Sequence, residues 1–310
     1  MALDPQAQMI LDMMAAAGMS DLTAGTAAEV KARAEAMPRV PGPEVASVHD
    51  VSILGPAGDI PARVYRPTSG GAPLPALVWF HGGGWVIGSV DGSDASVRGL
   101  TNEMGCVIVS VDYRMAPEFK FPVPAEECYS ATKWVAENAP SIGVDPARIA
   151  VGGDSAGGNL AAAVAQMAQA RGGPAIGFQL LVYPVTDFAY DTPSYAANAN
   201  GYLLTQKDMR WFWDQYLRTP ADGANPFASP ARAKSLAGLP PAHVITAEFD
   251  PLRDEGEAYA DALRAAGVPT TNTRYDGMIH GFFGMSGAVD KAKLAVAESA
   301  TRLRSTFGLG

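Results

Sequence analysis

The chain has 310 residues, 48% of them apolar and 18% charged, the composition of an ordered globular protein long enough for one large α/β domain or two smaller ones. Its net charge of −9 argues against nucleic acid and against acidic lipid surfaces as partners. No run of about 18 uncharged apolar residues offers a membrane span, and the start of the chain, interrupted by Asp4 and Asp12, has no basic head before an apolar core; no secretory signal is read, and a cytoplasmic location is expected.

Residues 1–40 read as helical and lie outside the first strands. Met9, Ile10, Met13 and Met14 recur at helical spacing, and a second, more charged helical run covers 29–37 before Pro38. Methionine adapts to varied shapes, so the first face suits either packing on the main domain or covering a site. Pro41-Gly42-Pro43 breaks the chain, and strands at 45–54 and 60–65 flank Gly55-Pro56-Ala57-Gly58-Asp59 as a hairpin. Residues 75–80 form a continuous apolar strand suited to burial on both faces, which runs into His81-Gly82-Gly83-Gly84-Trp85. A helix ends over 98–104, a buried strand covers 106–111, a helix 125–137 and a strand 149–152. An Ala-rich helix over 159–170 and a strand at 178–183 follow. This alternation implies a mostly parallel sheet with helices on both faces. It stops over 187–235, an insertion with aromatic residues at Trp211, Phe212, Trp213 and Tyr216 and a capping box of Thr205 with Asp208. It resumes with a strand at 243–249, a helix at 254–266, a strand at 270–275 and a helix at 290–307. Cys106 and Cys128 read as buried free thiols, and no Cys/His cluster has metal-ligand spacing.

Three stretches carry chemistry. Gly153-Asp154-Ser155-Ala156-Gly157 fits G-x-S-x-G between a strand and a helix, the sharp turn that pushes a serine Oγ out of a sheet. Small neighbours let strand and helix approach closely, and the free amides at the helix start face the reacting centre. An activated serine needs a base and an orienting acid, which on such a sheet follow in the order Ser, acid, His. His49 and His81 precede Ser155, and His243 opens a strand at the end away from the active edge; His280, in a loop between Gly277 and Gly281, remains. The acid belongs at the end of the preceding strand, where Asp250 and Glu248 both qualify and Asp254 lies a helical turn beyond. An oxyanion needs preorganised donors, and the amides of Gly83, Gly84 and Ala156 are the expected ones.

Taken together, His81-Gly82-Gly83-Gly84-Trp85, Asp112-Tyr113-Arg114 with Ala116-Pro117-Glu118, Gly153-Asp154-Ser155-Ala156-Gly157-Gly158, Asp250-Pro251-Leu252-Arg253-Asp254 and His280-Gly281-Phe282 resemble, in order and spacing, the bacterial hormone-sensitive-lipase-like (family IV) carboxylesterases. The resemblance implies an α/β-hydrolase fold over residues 46–310, with a mostly parallel sheet of about eight strands, and a helical cap made of residues 1–45 and the insertion at about 187–235. It implies Asp250 rather than Glu248 as the acid, no cofactor or metal, a small-molecule ester as substrate, and a homodimer, for which no strand of the sequence identifies an interface. Trp85, Asp154, Tyr183, Trp211 and Phe282 are the candidates for the pocket wall.

The expected reaction is attack of Ser155 on an ester of short to medium acyl chain, with His280 as base. An amidase or lactonase on the same triad is the alternative, because leaving-group choice depends on pocket shape. A non-catalytic ligand-binding protein of the same fold, such as the plant gibberellin receptors, lacks the triad histidine that His280 supplies here.

Overall fold

The computed structural model describes residues 2–71 and 73–309; Met1, at the head of the expected N-terminal segment, lies outside the described residues. Two helices come first, α1 (Pro5–Ala16) and α2 (Ala27–Glu35). Asp4 caps α1, and Thr26 with Glu29 makes a reciprocal capping box for α2, which therefore starts two residues before the charged run noted in the sequence. The remaining elements are β1 (Ser47–Gly55), β2 (Gly58–Arg66), β3 (Leu74–Phe80), α3 (Val90–Met104), β4 (Val107–Val111), α4 (Val123–Asn138), β5 (Val144–Asp154), α5 (Ala156–Arg171) and β6 (Phe178–Val182). The insertion contributes α6 (Pro193–Ala197) and α7 (Gln206–Tyr216) before β7 (Ala242–Phe249), α8 (Arg253–Ala265), β8 (Thr270–Ile279) and α9 (Asp290–Thr306).

Among the described residues eight strands form one sheet in the order β1-β2-β4-β3-β5-β6-β7-β8. β2 is antiparallel to both of its neighbours, and every pairing from β4 across to β8 is parallel. The helices that connect parallel strands cover both faces, which is why β3, β4 and β6 read as largely apolar runs, interrupted by Ser110 in β4 and Gln179 in β6: each strand is buried throughout. Alternate residues supply two cores. Val78, Val109, Val151, Leu181 and Val244 face α4, α5 and α8, whereas Leu77, Ile108, Ala150, Leu180 and Ile245 face α3 and α9. Cys106 and Cys128 are buried and free. No helix among the described residues is long and apolar enough to cross a membrane.

Register sets the position of the site. β7 and β8 run parallel with Phe249 opposite Ile279, so the next residues, Asp250 and His280, leave the sheet side by side at its C-terminal edge. β5 ends at the same edge with Asp154, paired to Val182 of β6.

Candidate active site

Between β5 and α5, Ser155 has φ +58° and ψ −120°, a left-handed backbone that costs a non-glycine residue about 1 kcal/mol or more. Its amide donates to the Val182 carbonyl (2.9 Å) and its carbonyl accepts the Asn159 amide (3.0 Å), so the strained turn is held from both sides. The approach of β3 explains the glycines. A Cβ on Gly157 would lie 1.9 Å from the Phe80 carbonyl oxygen, and one on Gly153 would lie 2.4 Å from the same atom.

His280 Nε2 is 2.9 Å from Ser155 Oγ, and its Nδ1 is 2.7 Å from Asp250 Oδ2. A carboxylate only accepts, so Nδ1 carries the proton and Nε2 presents its lone pair to the serine hydroxyl. Asp250 is fully buried, while Ser155 and His280 each retain 8% exposure. The second Asp250 oxygen accepts the Leu252 amide (2.9 Å), and Asn198 of the insertion donates from Nδ2 to the Asp250 carbonyl (3.1 Å). Glu248 does other work: its carboxylate accepts the Gly277 amide (2.7 Å) inside β8, which runs on to Ile279 where the sequence suggested a loop and places His280 directly after the strand. Asp254 accepts the Ser194 amide (2.7 Å) and so ties α8 to the insertion. The ring of Tyr183 backs the His280 imidazole, with centroids 4.6 Å apart.

The glycine loop after β3 reaches the same place. Gly82 donates its amide to Asp154 Oδ1 (3.0 Å), a contact that fixes the loop to the serine turn; a Cβ on Gly82 would lie 2.4 Å from the other Asp154 oxygen. Burial pushes the Asp154 carboxyl above its ordinary range, and the Gly82 amide works against that rise. Gly83 and Gly84 have φ of +116° and +59°, and the Gly83 carbonyl accepts the Val86 and Ile87 amides. Among the described residues no protein acceptor takes the amides of Gly83, Gly84 or Ala156, the last of which follows the serine directly.

A cavity of about 470 Å³ adjoins this centre, with Gly82, Gly83, Asp154 and Gly281 on the catalytic side and α1, α2 and the loop between them opposite. Of the five residues expected in its wall, Asp154 is there; Trp85, Tyr183, Trp211 and Phe282 are not. Trp85 is fully buried under the insertion, stacked on Tyr216 at 4.2 Å, and Tyr183 is buried behind the histidine. Trp211 packs edge-on against Phe212. After Gly281 the chain makes a short 3₁₀ turn, Phe282–Met285, which sends Phe282 into the core against Tyr183 and Tyr275 and brings Phe283 to the cavity beside Trp79. Asn198 and the cavity residues Met19, Leu22 and Phe283 were missed from the sequence. The sequence offers Met14 only as part of an apolar face, of which Met9 and Met13 are largely exposed while Ile10 packs half-buried on the core.

The other histidines stand apart from the base. His49 is exposed on β1. His81 is buried against Tyr113, with ring centroids 4.5 Å apart. His243 is fully buried at the start of β7, its Nδ1 2.8 Å from Thr271 Oγ1. Burial lowers the His243 imidazole to about 4 from 6.5, against the pull of Glu298 at 3.9 Å. The unfolded chain therefore binds the extra proton first. The associated stability is complete above about pH 6.5 and is lost progressively as pH falls toward 4. Urea titrations at pH 7 and pH 4 should show a steeper loss for the wild type than for His243→Gln; parallel curves would remove the assignment.

A family model described as the alpha/beta hydrolase fold matches residues 77–284. The chain is 47% identical over 296 residues to the carboxylic ester hydrolase LipN of Mycobacterium tuberculosis, covering 91% of this chain and 77% of that protein. It is 38% identical over 297 residues to an arylesterase of Saccharolobus solfataricus, covering 92% and 93% of the two chains. A hyperthermophilic esterase from the archaeon Pyrobaculum calidifontis has the same architecture, with a TM-score of 0.90 at 41% identity over 100% of both chains.

Proposed function

The chain belongs to the α/β-hydrolase fold family, in its hormone-sensitive-lipase-like carboxylesterase branch, and we propose that it hydrolyses esters of short to medium acyl chain through an acyl-enzyme on Ser155. The observation that carries the reading is the unbroken chain from Asp250 through His280 to Ser155, at 2.7 and 2.9 Å. Ser155 Oγ attacks the ester carbonyl carbon as its proton passes to His280 Nε2. The carbonyl oxygen takes up the negative charge and is held by the Gly83, Gly84 and Ala156 amides. Collapse breaks the bond to the alkoxy oxygen, which leaves as an alcohol with the proton from His280. Water then repeats the sequence on the acyl-enzyme, with His280 again as base, and releases the acid. Asp250 holds the Nδ1–H tautomer and offsets the imidazolium charge. No step calls for a cofactor.

In this reading α1, α2 and the insertion form a cap over the centre; the contribution of α1 and α2 to the cavity wall supports it. A reducing, cytoplasmic setting fits the two free buried thiols, and a homodimer is part of the same proposal, checked by light scattering. Initial rates on p-nitrophenyl esters from acetate to dodecanoate, with the matching anilide and a lactone, test the substrate class. We expect a maximum at short to medium acyl chains and anilide turnover at least ~100-fold slower. Faster anilide or lactone cleavage would establish the alternative chemistry instead.

A further inference from the structure

A second cavity, of about 430 Å³, lies between the N-terminal segment and the insertion. Its wall mixes polar residues such as Gln8, Asp12 and Lys207 with apolar ones such as Leu11 and Leu203, whereas the cavity that reaches Asp154 is walled largely by apolar groups such as Leu22, Val30, Trp79 and Phe283. Both cavities touch Met14, Met19 and Asp21, which therefore stand between them.

The sequence makes that partition by closing α1. Gly18 takes φ +69°, its amide donates to the Ala15 carbonyl (3.0 Å), and the Met19 amide donates to the Met14 carbonyl (2.9 Å). This is a Schellman closure, a turn whose first and last side chains commonly meet across it; here those two side chains are Met14 and Met19. The loop beyond is anchored to α7. Thr23 Oγ1 donates to Asp208 Oδ1 (2.7 Å) in a buried contact, and Lys207 pairs with Asp21 (2.7 Å). The backbone of the partition is thus fixed while its two side chains are unbranched thioethers with three rotatable bonds each.

We propose that Met14 and Met19 are the specificity-determining residues for chain length: they end the apolar chamber, and the tail of the ester stops against them. The inference rests on the esterase reading above. A tail that outgrows the chamber meets the two methionine side chains and gains no burial for its added methylenes unless it displaces them. Removing both side chains joins the chambers and admits longer tails; filling the gap with an aromatic ring shortens the limit.

The test compares wild type, Met14→Ala/Met19→Ala and Met19→Phe on two series, p-nitrophenyl esters of increasing acyl length and alkyl acetates of increasing alcohol length, with melting temperature as the check on folding. In the series whose tail occupies the chamber, the ratio of kcat/KM for the ten-carbon to the four-carbon substrate should rise about tenfold or more in the double variant and fall in Met19→Phe. A shift in either series supports the partition and says which side of the ester lies there. Ratios within roughly twofold of wild type in both series, for a folded variant, overturn it. Calorimetric titration of the same variants built on Ser155→Ala, with the four- and ten-carbon esters, reads tail binding without turnover. An inactive wild type that still shows the length shift in binding refutes the esterase reading and leaves the partition standing.

Discussion

Ser155→Ala will lower kcat for p-nitrophenyl butanoate by about 10⁵-fold or more and leave the protein folded. The nucleophile is the one atom for which nothing nearby substitutes, and the residual rate would come from the open amides of Gly83, Gly84 and Ala156 acting on bound ester with water. Stability gives a second, independent readout. Alanine at φ +58° inherits the backbone strain of the serine, whereas Ser155→Gly relieves it and should be the more stable of the two variants by about 1 kcal/mol, less the added freedom of its unfolded chain. Two equally dead enzymes, one of them firmer, would show that the turn is strained for the sake of the hydroxyl. A Ser155→Ala enzyme retaining a tenth of its activity would end the assignment.

Asp250→Asn will cost about 10⁴-fold in kcat, against less than tenfold for Glu248→Gln. The two carboxylates lie two residues apart at the end of β7, yet they face different tasks. Asp250 accepts from His280 at 2.7 Å and is fully buried. An asparagine amide there can turn its NH₂ toward Nδ1, which places the ring proton on Nε2 and removes the base. Glu248 accepts a backbone amide, that of Gly277 at 2.7 Å, and a glutamine oxygen accepts it as well. Steady-state kinetics of the two purified variants decide the matter; a larger loss in Glu248→Gln would transfer the role of acid to Glu248.

The strands were legible because they are buried on both faces: apart from Ser110 and Gln179, β3, β4 and β6 are apolar on both sides, and their apolar runs match their extents closely. Chain order restricted the base to His280, but the residues around the acid left Asp250 and Glu248 open. That choice depends on pairing Phe249 with Ile279, a relation between two distant segments that neither segment encodes alone. The pocket wall was the least legible part. Phe282 and Phe283 are adjacent and chemically identical, and the 3₁₀ turn after Gly281 decides which one meets the cavity. Trp85 follows a glycine run and looks available to a ligand, yet it has φ +60° and lies under Trp213 and Tyr216. Met14 and Met19 stand five apart, off the usual helical spacing; Gly18 between them was the signal that the helix closes and brings them together.

The contact between Thr23 and Asp208 joins residues 185 positions apart, and Asp208 also closes the capping box of α7. The joint therefore couples the N-terminal segment and the insertion structurally, although the chain builds them from separate stretches. Recombination with a relative that exchanges only the first segment would strand a buried carboxylate without its threonine hydroxyl, at a cost of about 1–3 kcal/mol. Chimaeras that carry residues 1–45 and 187–235 across together keep the joint whole, and substrate range should then travel with the pair and not with either part.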